Sequence, residues 1–146
     1  YIEMDLNCQF EEYFFKKFDV IVACEILEHL ENPRHVFRQF ASLLKKGGIL
    51  ILSTPNNHSI RSLINYIFRG HFTEFLDSSY PAHISPIIMK DLVRYGKECN
   101  LSLTKFYFSN SGAVPGFIRY KWQGISSKFF KGKYFSDNLA VSFTKY

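Results

Sequence analysis

The chain has 146 residues, an apolar share of 47% and a formal net charge of +5. This length allows one domain at most, and the apolar share is sufficient for a core. No apolar run approaches the roughly 18 residues of a membrane span, and no signal peptide is visible. Cys8, Cys24 and Cys99 form neither a zinc pattern nor a disulfide framework, so we expect a reducing, cytoplasmic environment.

The first clear elements are two apolar runs. Residues 1–6 are interpreted as the end of a strand, and residues 9–17 as a short helix or loop. Residues 18–24 then form an apolar run broken by Asp19, and residues 49–54 form a second. Neither run alternates polar with apolar residues. Each is therefore predicted to be a strand buried on both faces, as in a parallel sheet.

Residues 33–46, between these strands, have the features of an amphipathic helix. Asn32 can cap the helix, Pro33 suits its first position, and apolar residues recur on one stripe. Lys45 and Lys46 suit the last turn, and the two following glycines can turn the chain. A right-handed crossover would bring both strand ends to one edge of the sheet, where open parallel sheets bind ligands.

Polar side chains follow both strand ends. Glu25, Glu28 and His29 come after the first strand, and the sequence Thr-Pro-Asn-Asn at residues 54–57 ends the second. Two carboxylates and an imidazole can hold a divalent cation, orient a substrate hydroxyl or supply a general base. Alternatively, Glu28 and His29 brace the loop through backbone hydrogen bonds.

Three further elements are predicted downstream. Ser59 can cap a helix with an apolar stripe that ends at Gly70, and Ser85-Pro86 can open another helix that ends at Asn100. Residues 101–108 and 138–146 are predicted to form an antiparallel hairpin. Between these two strands lies a long connection, residues 109–137, which we call the insertion.

The insertion is basic and aromatic. Six basic residues and no acidic residue occur from Lys105 to Lys133. A segment of this kind, 119–134 above all, can contact a membrane surface, a phosphorylated carrier or nucleic acid, although nucleic acid is not favoured. The alternative is a solvated insertion with aromatic anchors.

Two linked motifs resemble a known family. The sequences FDVIVACEILEHLENP (18–33) and LLKKGGILILSTPN (43–56) resemble the middle of class I S-adenosylmethionine-dependent methyltransferases. They are most similar to the group that includes the ubiquinone-biosynthesis O-methyltransferases. Lys46 stands where that family usually has proline. The resemblance implies an α/β, Rossmann-like fold with a mostly parallel sheet and a C-terminal antiparallel hairpin.

The resemblance also implies roles for particular residues. It implies methyl transfer from S-adenosylmethionine to a hydroxyl of a small-molecule or carrier-linked acceptor, such as a sugar or lipid. The implied cofactor-binding residues are Asp5, Leu6, Cys24 and Glu25, although Asp5 can also be an ordinary turn residue. The implied catalytic residues are Glu28, His29 and His83. Residues 56–84 would form a lid over the acceptor, with Tyr80 and His83 in contact with it.

One motif of the family is absent. The glycine-rich turn that holds the carboxypropyl and ribose parts of the cofactor occurs nowhere in this chain, so we expect a fragment without the N-terminal part of the domain. No metal is assigned. Two alternatives stay open: a metal-dependent RNA 2′-O-methyltransferase that uses Glu25, Glu28, His29 and His83, and a non-catalytic methyltransferase-like binding module.

Overall fold

A computed structural model describes residues 1–15 and 17–146, along which β-strands and α-helices are intermixed. In chain order the strands are β1 (Phe18–Cys24), β2 (Leu44–Pro55), β3 (Leu101–Phe108), β4 (Ala113–Val114), β5 (Phe117–Lys121) and β6 (Asn138–Lys145). The α-helices are α1 (Pro33–Leu43), α2 (Ile60–Arg69), α3 (Met89–Glu98) and α4 (Trp122–Ser126). Short 3₁₀ turns lie at Glu11–Tyr13, Leu27–His29 and Asp77–Ser79. Lys16, in the predicted leading segment 9–17, lies outside the described residues.

Four strands form the main sheet in the order β1-β2-β6-β3. β1 and β2 are parallel, whereas β6 is antiparallel to both of its neighbours. Three of the four strands therefore point in the same direction, and β3 with β6 forms the closing hairpin. The predicted α/β class, the β1-α1-β2 unit and the C-terminal antiparallel pair are confirmed.

The core lies on one face of this sheet. Leu50 and Leu52 of β2 and Phe143 of β6 pack there against α1 and α3, and Phe37 of α1 meets the Phe143 ring at 5.5 Å between centroids. The other face is open. Val22, in β1 at the edge of the sheet, is 60% exposed. The prediction that β1 is buried on both faces is therefore wrong for the described chain, because no described element covers its outer face.

Helix α1 is shorter than predicted. It ends at Leu43, because Leu44 pairs with Phe18 of β1 and so begins β2. Lys45 accordingly lies in β2, where its Nζ contacts the Asp19 carboxylate at 2.8 Å. The carbonyls at the end of α1 are capped instead by Lys145, whose Nζ donates to the oxygens of Ala41 and Leu44.

Helix α2 has the predicted caps and an unusual orientation. The Ser59 hydroxyl accepts from the Ser62 N–H, and Gly70 ends the helix in the left-handed region at φ 78°. Its apolar stripe is turned outward, however, and Ile67 is 73% exposed. Its polar side is turned inward, where Asn65 Nδ2 donates to Thr73 Oγ1 at 3.0 Å.

Two further expectations differ from the structure. Helix α3 begins at Met89 rather than after Ser85, because the Ser85 hydroxyl donates to the Leu30 carbonyl at 2.5 Å and does not cap a helix. Residues 1–6 form no strand with any described residue. The C-terminal end of α3 is as predicted: the chain passes from α3 to β3 through Asn100, which is in the left-handed region at φ 56°.

The insertion contains a small unit of its own. β4 and β5 form a two-stranded antiparallel ribbon, and α4 follows directly. Among the described residues, no helix is both long and apolar enough to cross a bilayer.

Candidate active site

The ends of β1 and β2 lie side by side. Cys24 and Ser53 are paired in the parallel register, and the chain leaves β1 through Glu25, which has a φ of 51°. The Glu25 N–H donates to the Ser53 carbonyl at 3.1 Å, and the Ser53 hydroxyl donates to Glu25 Oε1 at 2.6 Å. This double contact fixes the carboxylate at the edge where β2 also ends, as the parallel arrangement predicts.

Glu28 is buried beneath this edge. It lies in the 3₁₀ turn Leu27–His29, its side chain is 1% exposed, and the Thr54 hydroxyl donates to its Oε2 at 3.2 Å. Burial raises the pKa of the Glu28 carboxyl above its ordinary value, and the nearby Glu25 charge raises it further. Glu28 is therefore placed to exchange a proton nearer to neutral pH than an exposed carboxyl would be.

His29 and His83 come together above Glu28. Their ring centroids lie 4.7 Å apart with the rings edge to face. Nδ1 of His29 lies 2.7 Å from the Ala82 carbonyl oxygen, and Nδ1 of His83 lies 2.8 Å from the Glu74 carbonyl oxygen. A carbonyl can only accept, so each Nδ1 carries a proton, and in the neutral form of each ring the lone pair is on Nε2.

The three side chains form one cluster. His29 Nε2 lies 4.0 Å from Glu28 Oε1, and one potential ligand atom from each of Glu28, His29 and His83 lies within 4.8 Å of the other two. Two imidazole lone pairs beside a carboxylate can accept a proton from a hydroxyl or coordinate a divalent cation. The backbone carbonyls that hold Nδ1 of each ring are partners of the kind that orient metal-binding or basic histidines.

The cluster is also tied to the segment that contains His83. The Glu28 carbonyl accepts from the N–H groups of Ile84 and Ser85 at 2.9 Å and 3.0 Å. His83 is therefore held beside Glu28 by main-chain hydrogen bonds as well as by its own ring. The predicted trio Glu28, His29 and His83 lies in one place.

Other predicted residues lie elsewhere or serve the fold. Asp5 sits in an exposed turn, where its Oδ1 accepts from the Asn7 N–H at 2.9 Å, and the half-buried Leu6 packs against the core. Cys24 is exposed at the end of β1. Tyr80 is exposed and makes no side-chain hydrogen bond with a described residue.

The two asparagines after β2 hold loops together. The Asn56 amide donates to the carbonyls of Lys133 and Ser136, and the Asn57 amide donates to the Ile87 carbonyl. Both side chains are buried. Of the Thr-Pro-Asn-Asn sequence, therefore, Thr54 reaches the cluster, whereas the asparagines join the insertion and the start of α3 to the end of β2.

Sequence reasoning missed two polar contacts around the site. Asn138, at the start of β6, donates to Glu25 Oε2 at 3.2 Å, and His58 Nε2 accepts from the Met89 N–H at 3.2 Å. Burial, followed by the nearby Lys133 charge, lowers the pKa of His58. The Asn138 contact spans most of the chain and leaves no local sequence signal.

Comparison with known proteins identifies the family of this chain. Residues 4–105 match the model of a family described as a methyltransferase domain. The ubiquinone biosynthesis O-methyltransferase of Pelagibacter ubique is 34% identical over 94 residues, which cover 62% of this chain and 38% of that protein. The enzyme of the same name from Dechloromonas aromatica is 32% identical over 85 residues, which cover 58% and 37%. The chain thus matches less than two fifths of the length of these relatives.

Solved structures share the fold. A SAM-dependent methyltransferase of Archaeoglobus fulgidus superposes on this chain with a TM-score of 0.66 at 16% identity. The superposition covers 99% of this chain and 66% of the Archaeoglobus protein. The magnesium protoporphyrin IX methyltransferase of Synechocystis, solved with bound SAH, gives a TM-score of 0.53 at 13% identity. This superposition covers 98% of this chain and 49% of the Synechocystis protein. Since the family model covers residues 4–105, well over half of the sequence, this chain belongs to the methyltransferase-domain family.

Proposed function

We propose that the protein transfers a methyl group from S-adenosylmethionine to a hydroxyl oxygen of a small-molecule or carrier-linked acceptor. One observation carries the proposal: the Nε2 atoms of His29 and His83 make no hydrogen bond with a described residue, and both rings lie beside the buried Glu28 carboxyl. Methyl transfer to a hydroxyl releases a proton, and a neutral imidazole is suited to accept it near neutral pH.

The residues at the strand edge are compatible with this cofactor. S-adenosylmethionine, when bound, supplies an electrophilic methyl group on a positively charged sulfonium. Glu25 and Glu28 give the edge negative potential, which favours a cation there. Glu25 and the backbone at Cys24 would face the cofactor. Asp5 could still accept from an amino group at Oδ2, since Asn7 donates to Oδ1 and only the Cys8 thiol, a weak donor 3.8 Å away, contacts Oδ2.

The three side chains of the cluster would have different roles in the reaction. His29 would accept the acceptor's hydroxyl proton at Nε2, while the Ala82 carbonyl keeps Nδ1 protonated and the ring oriented. Glu28 would stabilise the resulting imidazolium at 4.0 Å, and Thr54 holds that carboxyl in place. His83 would position the hydroxyl. In-line approach to the methyl group requires this kind of fixed orientation.

Binding and transfer can be tested together. The intact protein should bind S-adenosylmethionine by titration calorimetry and transfer an isotope-labelled methyl group to at least one of a panel of hydroxylated aromatic, sugar and lipid-linked acceptors. Mass spectrometry should identify the product as a methyl ether. No cofactor binding by the intact protein would instead favour the non-catalytic module. Products methylated on nitrogen or carbon would overturn the choice of oxygen.

A second candidate function uses the same cluster with a divalent cation. The convergence of one ligand atom each from Glu28, His29 and His83 within 4.8 Å favours it, as does the lack of any hydrogen bond from either Nε2 atom to a described residue. Such a site would supply three protein ligands and leave positions open for the acceptor's hydroxyls, as in metal-dependent RNA 2′-O-methyl transfer. Glu25 is less suited to join it, because Ser53 and Asn138 already occupy its two oxygens.

Chelation separates the two candidates. Activity that survives dialysis against EDTA assigns the cluster to proton transfer alone. Activity that is lost on dialysis and restored by Mg²⁺, Mn²⁺ or Co²⁺ assigns it to a metal, and the acceptor panel should then include RNA with a free terminal 2′-hydroxyl. His83→Asn provides a further test, because loss of one of the three metal ligands should weaken metal affinity by at least the roughly 10- to 100-fold that loss of a hydrogen-bond partner of a ligand costs.

A further inference from the structure

We propose that the insertion docks on the surface of an anionic lipid bilayer. This inference is independent of the reaction, because it rests on residues 109–137 and not on the cluster at the strand edge. The insertion presents exposed apolar side chains on a well-connected scaffold, together with positive charges that the structure leaves largely unpaired.

The scaffold is built around one tryptophan. Trp122 packs against Phe130 and Phe135, with ring centroids 5.2 Å and 5.5 Å away. Gln123 crosslinks the unit: its Nε2 donates to the carbonyls of Phe130 and Phe135, and its Oε1 accepts from the Gly112 N–H. The Asp137 carboxylate accepts from the Ala113 N–H at 3.0 Å. The insertion is therefore a folded unit with its own small core.

Large apolar side chains nevertheless point away from that core. Phe117 is 66% exposed and Phe129 is 74% exposed. Further exposed apolar or aromatic residues of the insertion are Ile118, Tyr120, Ile125 and Tyr134. Exposed apolar clusters of this kind mark surfaces that bind another molecule or a membrane.

The charges on the same unit have one sign. Arg119, Lys128 and Lys131 are exposed, and none forms an ion pair with a described residue. Lys121 pairs with Asp137 at 3.1 Å, and no acidic residue occurs between Glu98 and Asp137. Positive charges beside apolar side chains complement an anionic bilayer, whose headgroups attract the charges while its interfacial region accepts the apolar groups.

The aliphatic residues favour lipid over nucleic acid. Single-stranded nucleic acid gains from stacking on aromatic rings, and Phe117 or Phe129 could provide that. Ile118 and Ile125, which are just as exposed, offer no stacking face but gain from entering the interfacial region of a bilayer. The insertion therefore fits a lipid surface better than it fits RNA.

The charge contribution can be isolated with a matched pair of variants. Vesicles of phosphatidylcholine with phosphatidylglycerol should bind the protein in flotation assays, and pure phosphatidylcholine vesicles should bind it much more weakly. Arg119→Gln/Lys128→Gln/Lys131→Gln should weaken binding about 100-fold, since each of the three basic groups contributes roughly fivefold. The control Lys46→Gln/Lys90→Gln/Lys97→Gln removes three exposed charges elsewhere and should change binding less than about threefold. Equal losses in both variants would overturn the proposal.

The apolar contribution has its own readout. Phe117→Ser/Phe129→Ser should reduce binding about tenfold, and most of that loss should persist at high salt, which screens the charges. Trp122 is the only tryptophan in the sequence, so brominated lipids should quench the protein's tryptophan fluorescence if the insertion enters the interface. Absence of quenching in vesicle-bound protein, or tight binding to single-stranded RNA without vesicle binding, would contradict the assignment.

Discussion

His29 and His83 lie edge to face, with ring centroids 4.7 Å apart, and each is held at Nδ1 by a backbone carbonyl. The two carbonyls belong to Ala82 and Glu74, both in the segment between α2 and α3. That segment therefore orients both imidazoles. A change in the path of this segment would move both rings, so the geometry of the cluster depends on the conformation of the segment.

The first prediction concerns the proposed base. His29→Ala should lower turnover about 100-fold or more, because a positioned general base contributes at least that much. The affinity for S-adenosylmethionine should change by less than about threefold, since the imidazole acts on the acceptor. Steady-state kinetics and titration calorimetry measure the two quantities. His35→Ala, in α1, is the matched control and should leave both unchanged. Wild-type turnover in the His29 variant would remove this residue from the mechanism.

The second prediction concerns the buried carboxyl. The pKa of Glu28 in the folded protein lies above its ordinary value of 4.5, mainly because of burial. Well below pH 4.5 the carboxyl is protonated in both the folded and the unfolded protein, so its burial as a charge does not lower the free energy of unfolding. As the pH rises from there through the folded pKa, ionisation favours the unfolded chain, and stability is lost. The free energy of unfolding falls by about 1.4 kcal/mol for each unit by which the folded pKa exceeds the unfolded pKa.

Glu28→Gln should remove this loss, because the amide oxygen can still accept from Thr54 but carries no charge. Urea unfolding across a pH series should show the free energy of unfolding of the variant rising relative to wild type from pH 4.5 upward. Glu12→Gln, an exposed position, serves as the control. A variant that loses stability relative to wild type with rising pH would contradict the burial argument.

The third prediction concerns the contact between α3 and the sheet. A Cβ at Gly96 would lie 2.4 Å and 2.9 Å from two ring carbons of Phe143. Gly96→Ala should therefore lower the free energy of unfolding by about 1–3 kcal/mol, despite the better helix propensity of alanine. Gly124→Ala, whose Cβ meets nothing within 4 Å, should be close to neutral.

A double variant checks the cause of that loss. If the clash with the ring is responsible, Phe143→Leu should cost less in the Gly96→Ala background than in wild type. Additive losses in a double-mutant cycle, measured by thermal or urea unfolding, would show that the destabilisation has another origin.

The fourth prediction compares two buried serines. The Ser142 hydroxyl on β6 has no hydrogen-bond partner among the described residues, so Ser142→Ala should be neutral or stabilising by up to about 1 kcal/mol. The Ser62 hydroxyl accepts from the Thr73 N–H at 3.2 Å, so Ser62→Ala leaves that buried donor unpaired and should cost about 1–2 kcal/mol. Urea unfolding of both variants tests the contrast, and a reversed order would contradict it.

Local patterns predicted the elements, and long-range contacts decided where several of them end. The apolar runs predicted β1 and β2, and Ser59, Gly70 and Asn100 were correctly assigned to the helix ends, because capping depends on neighbouring residues. The end of α1 was placed too late, because the pairing of Leu44 with Phe18 joins distant parts of the chain. The same reason applies to Ser85, whose hydroxyl bonds to Leu30.

The candidate site shows the same division. Glu28 and His29 were found because they follow a strand end in a family-like motif, and His83 was found by its place before a helix. The hydrogen bond from Asn138 to Glu25 was not found, because β6 reaches β2 only after the insertion is complete. The catalytic roles assigned to Glu28, His29 and His83 stay predictions. So do the cofactor-binding roles assigned to Asp5, Leu6, Cys24 and Glu25.

The reversed orientation of α2 changes what a mutational scan of this helix should show. Leu63, Ile64 and Ile67 are exposed, so replacing them with serine or glutamine should leave the fold intact and improve solubility. Ser62 and Asn65, which would rank as tolerant positions in an ordinary amphipathic helix, instead attach α2 to Thr73 and should resist substitution. A stability predictor that scores residues by hydrophobicity alone would rank the tolerance of these positions in the wrong order.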